Sequence, residues 1–264
     1  MVIAWYLIIF FLGASVGSFL NVLIMRMIVG EEFVKGRSHC DHCRKTLAWY
    51  EMIPIFSFLF LKGRSSCCKK KLSYQYPIVE VLIGILFVWW VVMGTLFFRL
   101  VMSPVSTMQP LFWLVVGVIL TGILIADLFY GLIPSPFVWG GVLLTVLYRL
   151  SLIFAGVYRG VDLIWSMVSA VGAAGFFWFL RFITKGKGMG EGDVILAVLV
   201  GLILGWPRVF VGVMSSFILG ALISVLLLVF GKKKFGQTIP FGPFMVLGVL
   251  VGLLWGEKIL ILLF

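Results

Sequence analysis

Residues 111–134 read LFWLVVGVILTGILIADLFYGLIP. Sixteen uncharged residues, 111–126, run into Asp127, and Ile133-Pro134 closes the stretch. An apolar run of about this length can cross the roughly 30 Å hydrocarbon core of a bilayer as a helix. An acid at membrane depth is costly, so Asp127 needs a partner or a job. A second acid stands in similar isolation: Asp193 in GMGEGDVIL, residues 188–196. Beyond the one long polar loop, the acids are Glu80, Asp127, Asp162, Glu191, Asp193 and Glu257.

Outward from that stretch the same composition recurs. The chain of 264 residues is 62% hydrophobic and 12% charged, which no soluble globular domain requires. The half-polar, shorter strands of a membrane barrel do not fit such runs. The fold class is an all-α polytopic integral membrane protein with about eight transmembrane helices: 2–25, 77–98, 111–127, 133–154, 161–183, 191–204, 207–230 and 242–263. The sixth is short and meets the seventh through Gly205-Trp206-Pro207, so the two also read as one re-entrant element. No basic residue precedes the first run and no small-residue cleavage pattern follows it, which argues against a removable signal peptide. Three segments result: a first helix over 1–25, a polar cysteine-containing loop over 26–76, and a membrane domain over 77–264. Within the loop, residues 53–61 (IPIFSFLFL) are too short to span; they form a small core or lie along the membrane surface.

Charge orients the chain. With 26–76 in the cytoplasm and the helices alternating, sixteen of the 21 Lys and Arg lie inside. Outside lie Arg99, Arg149, Arg159, Arg208 and Lys258. The positive-inside bias then puts both termini outside. It also accounts for the net charge of +11 without a nucleic-acid partner. The same topology sets Asp127 and Asp193 at one depth, the cytoplasmic face, although neither was used to derive it.

Two close carboxylates tend to share one proton. The ionised member can take a proton from water while the protonated member donates to a peptide carbonyl, giving hydrolysis without a covalent enzyme intermediate. Gly190 and Gly192 allow close backbone approach beside Asp193. Asp193 also opens a helix, whose N-terminal dipole favours an anion, so simple capping is an alternative role for it. At a helix C-terminus the dipole disfavours Asp127, and capping does not explain it.

All four cysteines lie in the polar loop: Cys40-x-x-Cys43 and Cys67-Cys68. A cytoplasmic loop disfavours a disulfide. Two thiol pairs about 25 residues apart resemble a structural zinc site. Ser65 stands where a second C-x-x-C would begin, so His39 or His42 is an alternative fourth ligand, and reduced thiols without metal are the alternative to zinc.

A set of motifs now bears on identity. Gly17-Ser18-Phe19-Leu20-Asn21-Val22 with Arg26, Cys40-x-x-Cys43, Trp49-Tyr50-Glu51, Ile53-Pro54, Lys62-Gly63-Arg64 and Tyr76-Pro77-x-x-Glu80 occur in that order. Asp127 with Ile133-Pro134, residues 188–194 (GMGEGDV) and residues 239–244 (IPFGPF) follow. Together they resemble the type IV prepilin leader peptidases, which are also prepilin N-methyltransferases, over nearly the whole chain. The resemblance implies a GxGD-type aspartic endopeptidase of the bacterial inner membrane with Asp127 and Asp193 as catalytic acids. Its substrates would be prepilins and pseudopilins of type IV pilus, type II secretion or competence systems. These are cut after a glycine at the end of a short basic leader, and the new N-terminus is methylated with S-adenosylmethionine. The loop 26–76 becomes the methyltransferase-associated domain, with zinc on Cys40, Cys43, Cys67 and Cys68. Asn21, Glu80, Gly190 and Gly192 become candidates for binding substrate or methyl donor. Ser65, Met52, Ser135 and Ile195 depart from the family pattern.

Several residues have plainer readings. Asn21 can serve an interhelical hydrogen bond, Glu80 can be an interfacial acid, and Gly13-x-x-x-Gly17 permits close helix packing. Asp162 and Glu257 read as solvated outer-face acids; Lys232, Lys233 and Lys234 read as a cytoplasmic anchor. A peptidase without methyltransferase activity is one alternative. An ion-coupled transporter using both aspartates is another, although it would place its acids near the bilayer midplane.

Overall fold

A computed structural model of the chain describes residues 2–31, 36–40, 42–100, 105–186, 188–231 and 237–263. Lys35, Lys187, Lys232, Lys233 and Lys234, counted above among the cytoplasmic charges, lie outside the described residues. The helices are α1 (Val2–Val29), α2 (Phe56–Phe60), α3 (Gln75–Leu100), α4 (Val105–Tyr130), α5 (Ser135–Phe154), α6 (Gly160–Ile183), α7 (Glu191–Leu204), α8 (Arg208–Val229) and α9 (Gly242–Leu263). Seven of them carry stretches long and apolar enough to cross a membrane, among the described residues. The chain is a multi-pass membrane protein. It divides into two compact units, residues 1–118 and 119–264, with the boundary inside α4.

The sixth expected span is a different kind of element. At 14 residues α7 rises about 21 Å, well short of the hydrocarbon thickness. It is instead the inner helix of the second unit, packing against α5, α6, α8 and α9. Its last six residues, Leu199 through Leu204, are all buried. Burial on every side explains why its sequence is apolar all round rather than amphipathic.

Because lipid tails are as apolar as leucine, contact between such helices depends on close packing at small residues. At Gly201 of α7, an added Cβ would lie 2.5 Å from Ala170 Cα and 2.6 Å from the Ser169 carbonyl oxygen of α6. At Gly248 of α9, it would lie 2.3 Å from the Gly212 carbonyl oxygen of α8. In the first unit, Gly13 and Gly17 of α1 face the backbone of α3, with Ile83 O and Glu80 Cα at 2.8 and 2.9 Å from their virtual Cβ positions. The Gly13-x-x-x-Gly17 pattern therefore serves packing. Arg149, counted above as an outer charge, donates from Nη2 and Nε to the Leu202 carbonyl at 2.7 and 3.1 Å, satisfying the C-terminal end of α7. Asp162 accepts the Arg159 N–H at 2.9 Å and caps α6, and Glu257 pairs with Arg208.

The loop segment 53–61 folds as expected of a stretch too short to span. It holds the five-residue α2, preceded by a 3-10 turn over Trp49–Met52. Phe56 stacks on Phe11 of α1, while Phe60 and Leu59 remain exposed.

Gly201→Val should force α6 and α7 apart, because its neighbours are backbone atoms that cannot rotate away. At about 1–3 kcal/mol for overpacking, the unfolding midpoint in detergent should fall by about 5 °C. Gly175→Ala, on an open face of α6 with nothing within 4 Å, should leave it unchanged or slightly higher.

Candidate functional site

The two isolated aspartates come from different helices of the second unit. Asp127 lies in the last turn of α4 and Asp193 in the first turn of α7. Both are almost fully buried, 5% and 9% exposed.

Each carboxylate is held by a backbone N–H at a helix N-terminus. Asp193 Oδ2 accepts from Gly190 at 3.0 Å, the residue preceding its own helix. The capping role weighed for Asp193 is therefore real, and one oxygen performs it. Asp127 Oδ2 accepts from Gly242, the first residue of α9, at 2.8 Å across 115 positions of sequence. The unfavourable dipole of α4 at Asp127 is thus opposed by the favourable N-terminus of α9. The signal available in sequence was Gly242-Pro243, a proline just inside a helix start.

Two glycines make the assembly possible. A Cβ at Gly242 would lie 2.7 Å from Asp127 Oδ2. A Cβ at Gly192 would lie 2.9 Å from Ile133 Cβ. The Ile133-Pro134 turn thus seats against the Gly192 backbone, and the residues near 127–134, 190–193 and 242 converge. Gly190 acts through its N–H, and Glu191 points away to pair with Arg181 at 2.6 Å.

The remaining candidates lie in the first unit. Asn21 is fully buried; its amide donates to the Tyr76 carbonyl at 3.3 Å, and its oxygen accepts from Gln75 Nε2 at 3.3 Å. Those bonds tie α1 to the start of α3, the interhelical role. Glu80, also buried, accepts the Ile55 N–H at 2.7 Å and the Ser18 hydroxyl. Ile55 has φ +66°, costly for a β-branched residue, so Glu80 pins a strained turn.

The four cysteines gather so that all their sulfurs lie within 4.8 Å of one another, a group that could hold a metal ion. Two knuckles with the same hydrogen bonding build the cluster at an offset of 25. Cys40 N donates to Lys45 O and Ser65 N to Lys70 O, both at 2.8 Å. Arg44 N donates to Cys40 O at 2.9 Å, and Lys69 N to Ser65 O at 3.0 Å. Arg44 and Lys69 share the left-handed conformation, at φ 59° and 57°. By this offset Cys43 matches Cys68, Cys40 matches Ser65, and Cys67 occupies the place of His42. The third thiol has therefore shifted two residues from its equivalent position. Ser65 fills the vacated corner, with its hydroxyl 3.2 Å from Cys40 Sγ and 3.1 Å from Cys67 Sγ. Burial pushes the Cys40 thiol up, but hydrogen bonds from Ser65 and from the Cys43 and His42 backbone outweigh it and bring it down to about 6. Cys43, 2.9 Å from Cys67 Sγ, is pushed up to about 11 by that contact. The imidazoles turn elsewhere: His39 to Arg44 and His42 to the Lys71 carbonyl.

Comparison with known proteins brings these features together. Residues 11–93 match the Bacterial Peptidase A24 N-terminal domain, and residues 114–225 match the Type IV leader peptidase family. Three proteins named prepilin leader peptidase/N-methyltransferase are similar along most of their length. That of Aeromonas hydrophila is 27% identical over 97% of this chain and 92% of its own. That of Stutzerimonas stutzeri is 28% identical over 94% and 90%. That of Klebsiella pneumoniae is 32% identical over 76% and 86%. No solved structure matches. With its two matching domains falling on the thiol cluster and on the aspartate-bearing helices, the chain belongs to the type IV leader peptidase family.

Proposed function

We propose that this chain is a bifunctional prepilin peptidase: an aspartic endopeptidase that removes the leader of prepilins and pseudopilins, and an N-methyltransferase that modifies the new N-terminus. One observation carries the peptidase half. Two buried carboxylates from remote motifs each accept a backbone N–H at a helix N-terminus, and the Ile133 turn after Asp127 seats against Gly192 beside Asp193. Burial and mutual repulsion favour one shared proton on the pair. The ionised aspartate takes a proton from water, and the protonated one donates to the scissile carbonyl. The tetrahedral diol then collapses as the leaving amine takes a proton from the pair. Gly190 and Gly242 hold one oxygen of each acid, leaving the other to face water and substrate. The proposed cut follows a glycine at the end of a basic leader, on the cytoplasmic side. A helical substrate hides its amides, so it must extend locally, and glycine lowers the cost of unwinding.

The thiol cluster suits structural zinc on Cys40, Cys43, Cys67 and Cys68. Zinc–sulfur bonds of about 2.3 Å in a tetrahedron place sulfurs about 3.8 Å apart. Cys40 and Cys68 already stand at 3.8 Å. S-adenosylmethionine, the donor implied by the relatives' second activity, would supply a methyl group on a positively charged sulfur.

Asp127→Asn and Asp193→Asn should each lower prepilin cleavage by about 10²–10⁴-fold, read by intact mass. Gly242→Ala, which puts a methyl 2.7 Å from Asp127 Oδ2, should cost about 10²-fold. Undiminished cleavage in both aspartate variants would sink the pair. Elemental analysis of the purified chain should find about one zinc per chain, falling sharply in Cys68→Ser; a metal-free, fully folded wild type would refute the zinc assignment. Alkaline phosphatase fused after residue 264 should be active, and the same enzyme inserted within 26–76 inactive, as both termini outside requires.

A further inference from the structure

α3 supplies a depth scale for the first unit. Its apolar run Gln75–Gly94, 20 residues, rises about 30 Å, the thickness of the hydrocarbon core. The loop-side edge of that core therefore lies near Gln75. Asn21 of α1 sits at the same level, since its oxygen accepts from Gln75 Nε2 at 3.3 Å. Two independent marks put α2 below that edge. Ile55, the residue that begins α2, donates to Glu80, which lies about 7 Å further along α3 than Gln75. Phe56 stacks at 5.3 Å on Phe11, which lies about 15 Å from Asn21 along α1.

At that depth the short helix turns an apolar face outward. Phe56, Leu59 and Phe60 share one side at helical spacing, joined by Ile53 before them. Phe60 is 81% exposed and Leu59 64%. Ser57, Phe58 and Leu61 turn the other way, toward α1 and the thiol loop. Hydrocarbon accepts such a segment only if its backbone is paired within the protein. That condition holds here. The N–H groups of Phe56, Ser57, Leu59 and Leu61 donate to the carbonyls of Pro54, Ile53, Ile55 and Ser57 at 2.6, 3.0, 3.1 and 3.0 Å. Pro54 has no N–H to satisfy, and Glu80 takes that of Ile55 at 2.7 Å. On the way out, Gly63 N donates to Phe58 O at 2.8 Å.

The flanks suit a headgroup layer. Trp49 and Tyr50 precede α2 and Tyr74 follows it, all exposed, and such amphipathic rings favour the membrane–water interface. Lys62, Arg64, Lys69, Lys70 and Lys71 of the same loop are exposed as well, a charge complementary to anionic lipid phosphates.

We propose that α2 is a wedge inserted into the lipid leaflet on the loop's side. Acyl chains cover Ile53, Phe56, Leu59 and Phe60, and the basic residues meet the phosphates of anionic lipids. The wedge continues the lipid-facing surface of α1, through the Phe11–Phe56 stack, into the polar loop. It holds that loop down on the membrane rather than leaving it to stand in water on α1 and α3. The strained turn at Ile55 then has a purpose, because with Glu80 it carries the chain into hydrocarbon with its N–H bonded. The inference depends on neither the peptidase nor the methyltransferase reading.

The test is site-directed spin labelling of the full chain in vesicles of phosphatidylcholine and phosphatidylglycerol. A genetically encoded nitroxide amino acid at position 60 or 70 leaves the four cysteines untouched. Both positions are exposed, so the label displaces no packed side chain. At position 60, collisions with oxygen should dominate; at position 70, collisions with a water-soluble nickel chelate should. The oxygen-to-nickel ratio should differ between the two by about tenfold or more, because hydrocarbon excludes so polar a reagent. Wild type needs no variant for the second measurement: a phospholipid with a photoactivatable diazirine in its acyl chain should label the peptide spanning 53–61. A position 60 as open to the chelate as position 70 would put α2 in water and overturn the proposal. A position 60 closed to both reagents, with no lipid adduct on 53–61, would show that protein covers this face, a second copy or a substrate helix, and would overturn it equally.

Discussion

The hydrogen bond from Gly242 N–H to Asp127 Oδ2 is the contact on which the second unit turns. A carboxylate at the C-terminal end of a membrane helix is doubly disfavoured, by burial and by the dipole of its own helix. The N-terminus of α9 answers both, and it can do so only if residue 242 has no side chain. That requirement fixes where α9 starts against α4. Asp193 obtains the same kind of support more cheaply, from the turn that begins its own helix.

Around that contact the unit is built on inter-helix approach rather than on a gradient from polar outside to apolar inside. The surface facing lipid is as apolar as the interior, so packing at Gly201, Gly212 and Gly248 takes the place of hydrophobic partitioning in setting which helix lies against which. α7, at 14 residues, is the shortest helix of the second unit. It ends where Arg149 meets its last carbonyls and begins where Asp193 is needed.

The first unit solves a different problem. Its polar loop is too small for a core of its own and relies on paired knuckles, on Glu51 and Glu80 tying turns to helices, and on Phe56 resting against α1. The 25-residue repetition tolerates the loss of a thiol at position 65, because Cys67, one residue before Cys68, reaches the same centre. The strained turn at Ile55 and the buried charges of Glu80 and Arg26 are costs that pure architecture would not need.

Helix positions were legible in the sequence because a bilayer demands long apolar runs, and the expected spans agree with the observed helices to within a few residues at most ends. The paired acids were legible for the same reason: in so apolar a chain, a charge stands out. The thiol pairs and Gly13-x-x-x-Gly17 could be read from spacing alone. What tertiary structure decided was partnership. No local pattern says that Gly242 serves Asp127 or that Arg149 closes α7, since both contacts join residues more than fifty positions apart. Nor could it say that Cys67 stands in for residue 65, or that Asn21 spends both ends of its amide on α3. Each depends on distance in space, which helical period and composition do not encode.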